Sequence, residues 1–179
     1  MIILMGLAGS GKSTQGKILA EKMGRVWLSA GQVLRDTGKF DEILKRGELV
    51  DDDATILLMA QAMAKAVREG KNAILDGFPR DVKQAEWIAQ SIASEIEIII
   101  KIKVPKEELW QRIELRQRAD DTKEVILRRF RIVEENMALI CEILGRKGIK
   151  TIDVDGVGSV EEVTTRLTSM IRENLGIVI

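Results

Sequence analysis

The chain has 179 residues, room for one ordinary domain, and its 45% hydrophobic and 31% charged content is that of a globular rather than a disordered protein. Lys and Arg number 28, as do Asp and Glu, so the formal net charge is zero. With no basic excess, and only three Trp, three Phe and no Tyr for stacking, nucleic acid is not an expected partner.

In chain order, Ile2 to Met5 is a short, wholly apolar run, as in a strand buried on both faces. The apolar start through Gly9 has no positive lead and is too short to cross a bilayer. Neither a signal peptide nor a membrane partner is expected, and the expected location is the cytoplasm. A Gly-rich turn follows, then a helical pattern from Ser13 to Met23 stopped by Gly24. Val26 to Leu28 reads as a second strand. Gln32 to Thr37 and Phe40 to Lys45 read as two brief helices around Gly38. Asp51 to Glu69 is the clearest helix, with Ile56, Met59, Met63 and Val67 on one face. Its acids Asp51, Asp52 and Asp53 suit a first helical turn better than a metal site.

Ala73 to Asp76 is another buried strand and Val82 to Ser91 a helix. Ile96 to Val104 is a β-branched strand with Lys101 and Lys103 alternating, closed by Pro105. Helices are predicted over Glu107 to Arg118 and Thr122 to Leu144, a last strand over Thr151 to Val154, and a last helix over Val160 to Asn174. Alternating strands and helices predict an α/β fold, a parallel sheet with helices on both faces.

No His is present, which removes the commonest general base and metal ligand. Cys141 is the only cysteine, so no internal disulfide and no ordinary zinc site can form. Its apolar neighbours Met137, Ile140 and Leu144 predict a buried thiol.

Gly6-Leu7-Ala8-Gly9-Ser10-Gly11-Lys12-Ser13 fits the phosphate-loop pattern, and it follows a strand and opens a helix, as that pattern requires. The glycines let successive N–H groups face one anion, and the helix start adds partial positive charge. Lys12 would reach the β- and γ-phosphates of a nucleoside triphosphate, and the Ser13 hydroxyl could ligate Mg²⁺. Asp76-Gly77-Phe78-Pro79-Arg80 ends a buried strand, where ligands of open α/β sheets bind. Asp76 is placed to hold Mg²⁺ through water. Gly77 permits close approach, and Arg80 can take a phosphate bidentately. Arg112 and Arg116 are i,i+4 neighbours, with Arg118 just after and Arg129 in the next helix. They form either a phosphate clamp or a solvated face paired with Glu108 and Glu114.

GLAGSGKSTQ (6–15), SAGQVLR (29–35), GELV (47–50), LDGFPR (75–80) with Gln84, RADD (118–121) and Asp155-Gly156 occur in the order and spacing of the adenylate kinases. The chain resembles that family over nearly its whole length. LDGFPR beside a phosphate loop is highly specific for nucleoside monophosphate kinases. Gln84 looks like the adenine-reading Gln of adenylate kinases; uridylate/cytidylate kinases typically place Asn there.

The resemblance implies a three-layer P-loop fold with a five-stranded parallel sheet of order 2-3-1-4-5, helices on both faces, and an AMP-binding helical subregion at 29–58. It implies the reaction ATP + AMP ⇌ 2 ADP with Mg²⁺ and without zinc. By the same resemblance Gly9, Ser10, Gly11, Lys12, Ser13, Thr14, Arg112 and Gly158 would hold ATP. Ala30, Arg35, Val50, Gly77, Arg80 and Gln84 would hold AMP. Lys12, Arg80, Arg116, Arg118 and Arg129 would be catalytic, and Ser13 and Asp76 would serve the metal.

Three departures from the family stand out. Ser13 replaces a usual Gly, Ala30 replaces a Thr that contacts AMP in many relatives, and the lid is reduced to about 116–118, with only Gln117 between Arg116 and Arg118. The alternatives are another small-molecule P-loop kinase, or a nucleotide-binding switch or assembly factor with slow turnover. A homo-oligomer is left open; the apolar tail Ile177-Val178-Ile179 suits its own domain slightly better than a neighbour.

Overall fold

The computed structural model describes residues 1–116, 122–177 and 179. The elements in order are β1 (Ile2–Met5), α1 (Lys12–Lys22), β2 (Val26–Ser29), α2 (Ala30–Asp36), α3 (Asp41–Lys45), α4 (Asp52–Arg68), β3 (Ala73–Asp76), α5 (Val82–Ser91), a 3₁₀ turn (Ala93–Glu95), β4 (Ile98–Lys103), α6 (Lys106–Arg116), α7 (Lys123–Gly145), β5 (Thr151–Asp155) and α8 (Val160–Leu175).

All five strands pair in parallel in the order β2-β3-β1-β4-β5, as expected. The chain leaves β1 toward β2 and β3 on one side and later reaches β4 and β5 on the other. The crevice at the carboxyl ends of β1 and β3 is therefore the switch point where such sheets bind ligands. Register sets the level of the chemistry: Leu4 and Ser29 both lie opposite Asp76, so the loop leaving Met5 begins one residue beyond that carboxylate.

Alternation along the buried strands divides the core in two. Ile3, Leu75 and Ile99 face Met59, Met63, Ile88, Ile140 and Leu144 from α4, α5 and α7. Ile2, Leu4, Ile74 and Ile100 face Leu19 of α1 and Val163, Leu167 and Ile171 of α8. Helix ends follow the sequence chemistry. Asp51 caps α4 by accepting from Ala54 N at 3.0 Å, and Ser159 and Glu162 form a capping box on α8. The first turn of α4 thus uses Asp51 as a cap. Among the described residues no group of three or more His, Cys, Asp or Glu is arranged to hold a metal.

Two packing expectations are corrected. Val67 is 63% exposed and Ala66 is buried in its place. Counting from Met59, residue 66 lies about 20° off the stripe and residue 67 about 80° off, at 3.6 residues per turn. Cys141 is half-buried rather than fully buried, a free thiol beside the α7 core residues. Ile177 and Ile179 pack against the α1–α8 side of the sheet; Val178 lies outside the described residues. No helix among the described residues is long and apolar enough to cross a membrane.

Candidate active site

The loop between β1 and α1 turns through left-handed backbone at Gly9 (φ 85°) and Gly11 (φ 91°). A Cβ on Gly6 would lie 2.7 Å from Ile102 O, and one on Gly9 3.0 Å from Leu109 O, so the loop is pressed onto the carboxyl end of β4 and onto α6. Gly11 is the N-cap of α1 and no side chain caps that helix. Its first-turn N–H groups therefore suit an anion held in the loop. Lys12 Nζ donates to Gly6 O at 2.7 Å and Leu7 O at 2.8 Å, which folds its ammonium over the same loop.

Across from the loop, the Ser13 hydroxyl donates to Asp76 Oδ2 at 2.7 Å. A hydroxyl and a buried carboxylate thus meet at the phosphate loop. Mg²⁺ favours oxygen ligands and is usually held by one or two protein groups plus substrate phosphates, and this pair fits that demand.

Behind Asp76 the chain turns at Gly77 (φ 70°). Arg80 Nε donates to Gly77 O at 2.8 Å, which bends the guanidinium back toward the strand end. A Cβ placed on Gly31, in the first turn of α2, would be 3.4 Å from both Arg35 Nη1 and Arg80 Nη2. The two guanidinia therefore flank one small space beside Gly31. Burial pulls the Arg80 pKa below its ordinary value; nearby Asp76 opposes this, while Arg129 and Arg35 add to it. Cations held this close gain from an anion between them.

Arg129, in the second turn of α7, donates to Leu44 O at 3.2 Å. Beside it Arg128 donates to Arg46 O and to Glu48, at 3.1 and 3.0 Å. At the other end of the cleft Arg112 pairs with Glu108 and donates to Gly156 O at 2.8 Å. The Glu108 partner of the solvated-face alternative is thus present, yet Arg112 also lines the cleft with Gly158.

These groups share one cleft of about 640 Å³. Its described lining carries Lys12, Lys17, Arg35, Arg80, Arg112 and Arg129 against Glu48 and Asp76, six cations to two carboxylates. In a chain with no net charge, that local excess of four singles out a site for polyanions. Gly9, Ser10, Gly11, Ser13, Thr14 and Gly77 also line it. Ala30, Val50 and Gln84 do not. They are buried behind its walls, at 0%, 4% and 1% exposure. Arg118 and the side chain of Arg116 lie outside the described residues, as does the reduced lid.

The sequence reading missed how Gln84 is held. Its Oε1 accepts from Arg80 N at 2.9 Å, and its Nε2 donates to Asp52 and to Asp81, each at 2.8 Å. Asp81 is also the N-cap of α5, accepting from Gln84 N at 3.0 Å. Burial, with the Asp52 carboxyl hydrogen-bonded alongside, pushes the Asp81 carboxyl up to about 6. The Asp81-x-x-Gln84 spacing is that of a capping box and could have flagged the pair. Nothing local pointed to Asp52, which is 32 residues away.

A family model described as Adenylate kinase matches residues 4–149. The adenylate kinase of Parvibaculum lavamentivorans is 35% identical over 189 positions, covering 95% of this chain and 91% of the relative. That of Mycobacterium sp. strain MCS is 36% identical, covering 92% and 95%. That of Dehalococcoides mccartyi strain 195 is 30% identical over 212 positions, covering 96% and 97%. The last alignment is longer than the chain's 179 residues, so this relative carries insertions that the chain lacks. The phosphate-loop pattern, the arginines sharing its cleft and the near end-to-end similarity to these enzymes agree: the chain belongs to the adenylate kinase family.

Proposed function

We propose that the chain catalyses ATP + AMP ⇌ 2 ADP by holding two nucleotide phosphates face to face across the cleft. The observation that carries this reading is the pair Arg35 and Arg80 flanking Gly31, in the same cleft as the phosphate loop. A P-loop switch needs one phosphate site. A phosphotransferase between nucleotides needs two, and this cleft has two clusters of cations.

In this reading the loop N–H groups and Lys12 hold the donor's β- and γ-phosphates, with Arg112 and Gly158 toward the donor base. Arg35 and Arg80 hold the acceptor phosphate, and Ala30, Val50, Gly77 and Gln84 shape the acceptor pocket. Arg80 and Arg129 neutralise the charge that builds on the transferring group, together with Arg116 and Arg118. Ser13 and Asp76 would hold Mg²⁺, which supplies further charge neutralisation at the phosphates when bound. Phosphoryl transfer needs positioning and charge stabilisation rather than a proton-shuttling base. A chain with no His is therefore adequately equipped. The subregion 29–58 would close over AMP, and the short 116–118 segment takes the place of a lid.

Turnover with ATP and AMP, CMP, UMP or gluconate in a coupled assay tests the reading. Fast ADP formation with AMP alone supports it. Nucleotide binding without turnover would select the switch, and turnover with gluconate another kinase.

A further inference from the structure

We propose that Asp81, together with Asp52, is a positioning residue that fixes the orientation of the Gln84 amide and so sets the base preference of the acceptor site. The proposal rests on the reading that Gln84, buried behind the cleft wall in this structure, meets the acceptor base when AMP is bound.

A glutamine amide has two nearly isosteric orientations that exchange its donors and its acceptor. An amide free to turn would present either edge to a base and discriminate poorly. Here both orientations are not equivalent. Arg80 N–H demands an acceptor and finds Oε1 at 2.9 Å. Asp52 Oδ1 and Asp81 Oδ2 demand donors and find Nε2 at 2.8 Å each. Turning the amide would set an N–H against an N–H and an oxygen against two carboxylates, in a side chain only 1% exposed. Each mismatch buried in this way is left with no water to compensate it, which disfavours the turned amide.

The consequence is chemical. Both Nε2 hydrogens are committed, and Oε1, with two lone pairs, has accepted one hydrogen bond. What Gln84 has left to offer is an acceptor. An acceptor takes the exocyclic amino group of adenine and opposes the carbonyl that hypoxanthine carries at the same position. The pinned amide therefore distinguishes an amino base from an oxo base through residues that need not touch the nucleotide themselves.

The test compares kcat/KM for AMP and inosine monophosphate in wild type, Asp81→Asn, Asp52→Asn and Gln84→Ala. The assays are run at pH 8, well above the Asp81 carboxyl's pKa of about 6. Asn is as good an N-cap as Asp, so Asp81→Asn keeps the cap while replacing one carboxylate oxygen by a competing donor. Asp52→Asn makes the same exchange from α4 without any role in that cap, and carries the test if the first variant folds poorly. We expect both Asn variants to narrow the AMP preference at least ~10-fold, with the loss falling on KM for AMP and not on KM for ATP. An unchanged preference in both, while Gln84→Ala narrows it, would make the aspartates structural and overturn the proposal alone. An unchanged preference in Gln84→Ala would remove Gln84 from base reading and the proposal with it.

Discussion

Gly47 sits directly on Val125: a Cβ at Gly47 would come 2.7 Å from Val125 Cγ1 and 3.1 Å from Val125 O. Gly47 lies in the segment between α3 and α4, and Val125 in the first turn of α7. Through this contact, with Arg128 on Glu48 and Arg129 on Leu44 O, the 44–48 segment docks onto the helix that carries Arg129. Gly47 also has φ 69°, a conformation that costs an L-residue about 1–2 kcal/mol. Gly47→Ala is expected to lower Tm by at least ~2–4 °C and to raise KM for AMP more than KM for ATP. Thermal scans and steady-state kinetics check both. An alanine variant with unaltered KM for AMP would separate this contact from the acceptor pocket.

The Ser13–Asp76 bond gives a second expectation. If the pair serves Mg²⁺, Asp76→Asn should cut kcat by ~10²-fold or more, and Ser13→Ala should raise the Mg²⁺ concentration needed for half-maximal rate. Titration of activity against Mg²⁺ at fixed ATP reads both effects. An unshifted Mg²⁺ curve in Ser13→Ala would leave the hydroxyl as a tether for Asp76 only.

Much of this was legible in the sequence because it is local. The phosphate loop, the buried strands and the Asp76-to-Arg80 turn are each encoded within ten residues, so their pattern carries their structure. The strand order came with the family resemblance. The meeting of Gln84 with Asp52 and the seating of Gly47 on Val125 were not legible, since they join segments 32 and 78 positions apart that no period or spacing links. Val67 failed for a smaller reason: the stripe runs regularly from Met59 through Met63 to Ala66, and Val67 lies about 80° round the helix from Met59.

Stability should depend on pH through Glu97. The guanidinium of Arg25, hydrogen-bonded to it, is the main reason its carboxyl is held down at about 2, against burial acting the other way. A carboxyl depressed by folding contributes stability that is complete above its unfolded value of about 4.5 and is lost as pH falls from there toward 2. Glu97→Gln should therefore lower Tm at pH 7, with the gap to wild type closing between pH 4.5 and 2. A gap that stays constant across that range would assign the loss to packing rather than charge.

A chain with so short a segment between Arg116 and Arg118 should exclude water poorly from the donor phosphates. Enzymes that close a lid suppress hydrolysis of the reactive group. ATP hydrolysis in the absence of AMP is expected at a measurable rate, falling when a non-reacting AMP analogue fills the acceptor pocket. ADP release followed in a monomer at low protein concentration checks this. Hydrolysis below detection would mean that closure is achieved by other parts of the chain.

The Arg25–Glu97 pair and the cleft lie at opposite ends of the sheet. Arg25 precedes β2 and Glu97 precedes β4, whereas every expected catalytic group among the described residues follows the far ends of the strands or sits on helices beyond them. Strands of four to six residues put roughly 13–20 Å between the two ends. Substitutions that far apart act additively on free energy when they share no partners. Heat tolerance can thus be adjusted at the lower rim, by strengthening or loosening the ion pair, while turnover is left to the upper rim. A lineage moving between hot and cool habitats could change one without renegotiating the other.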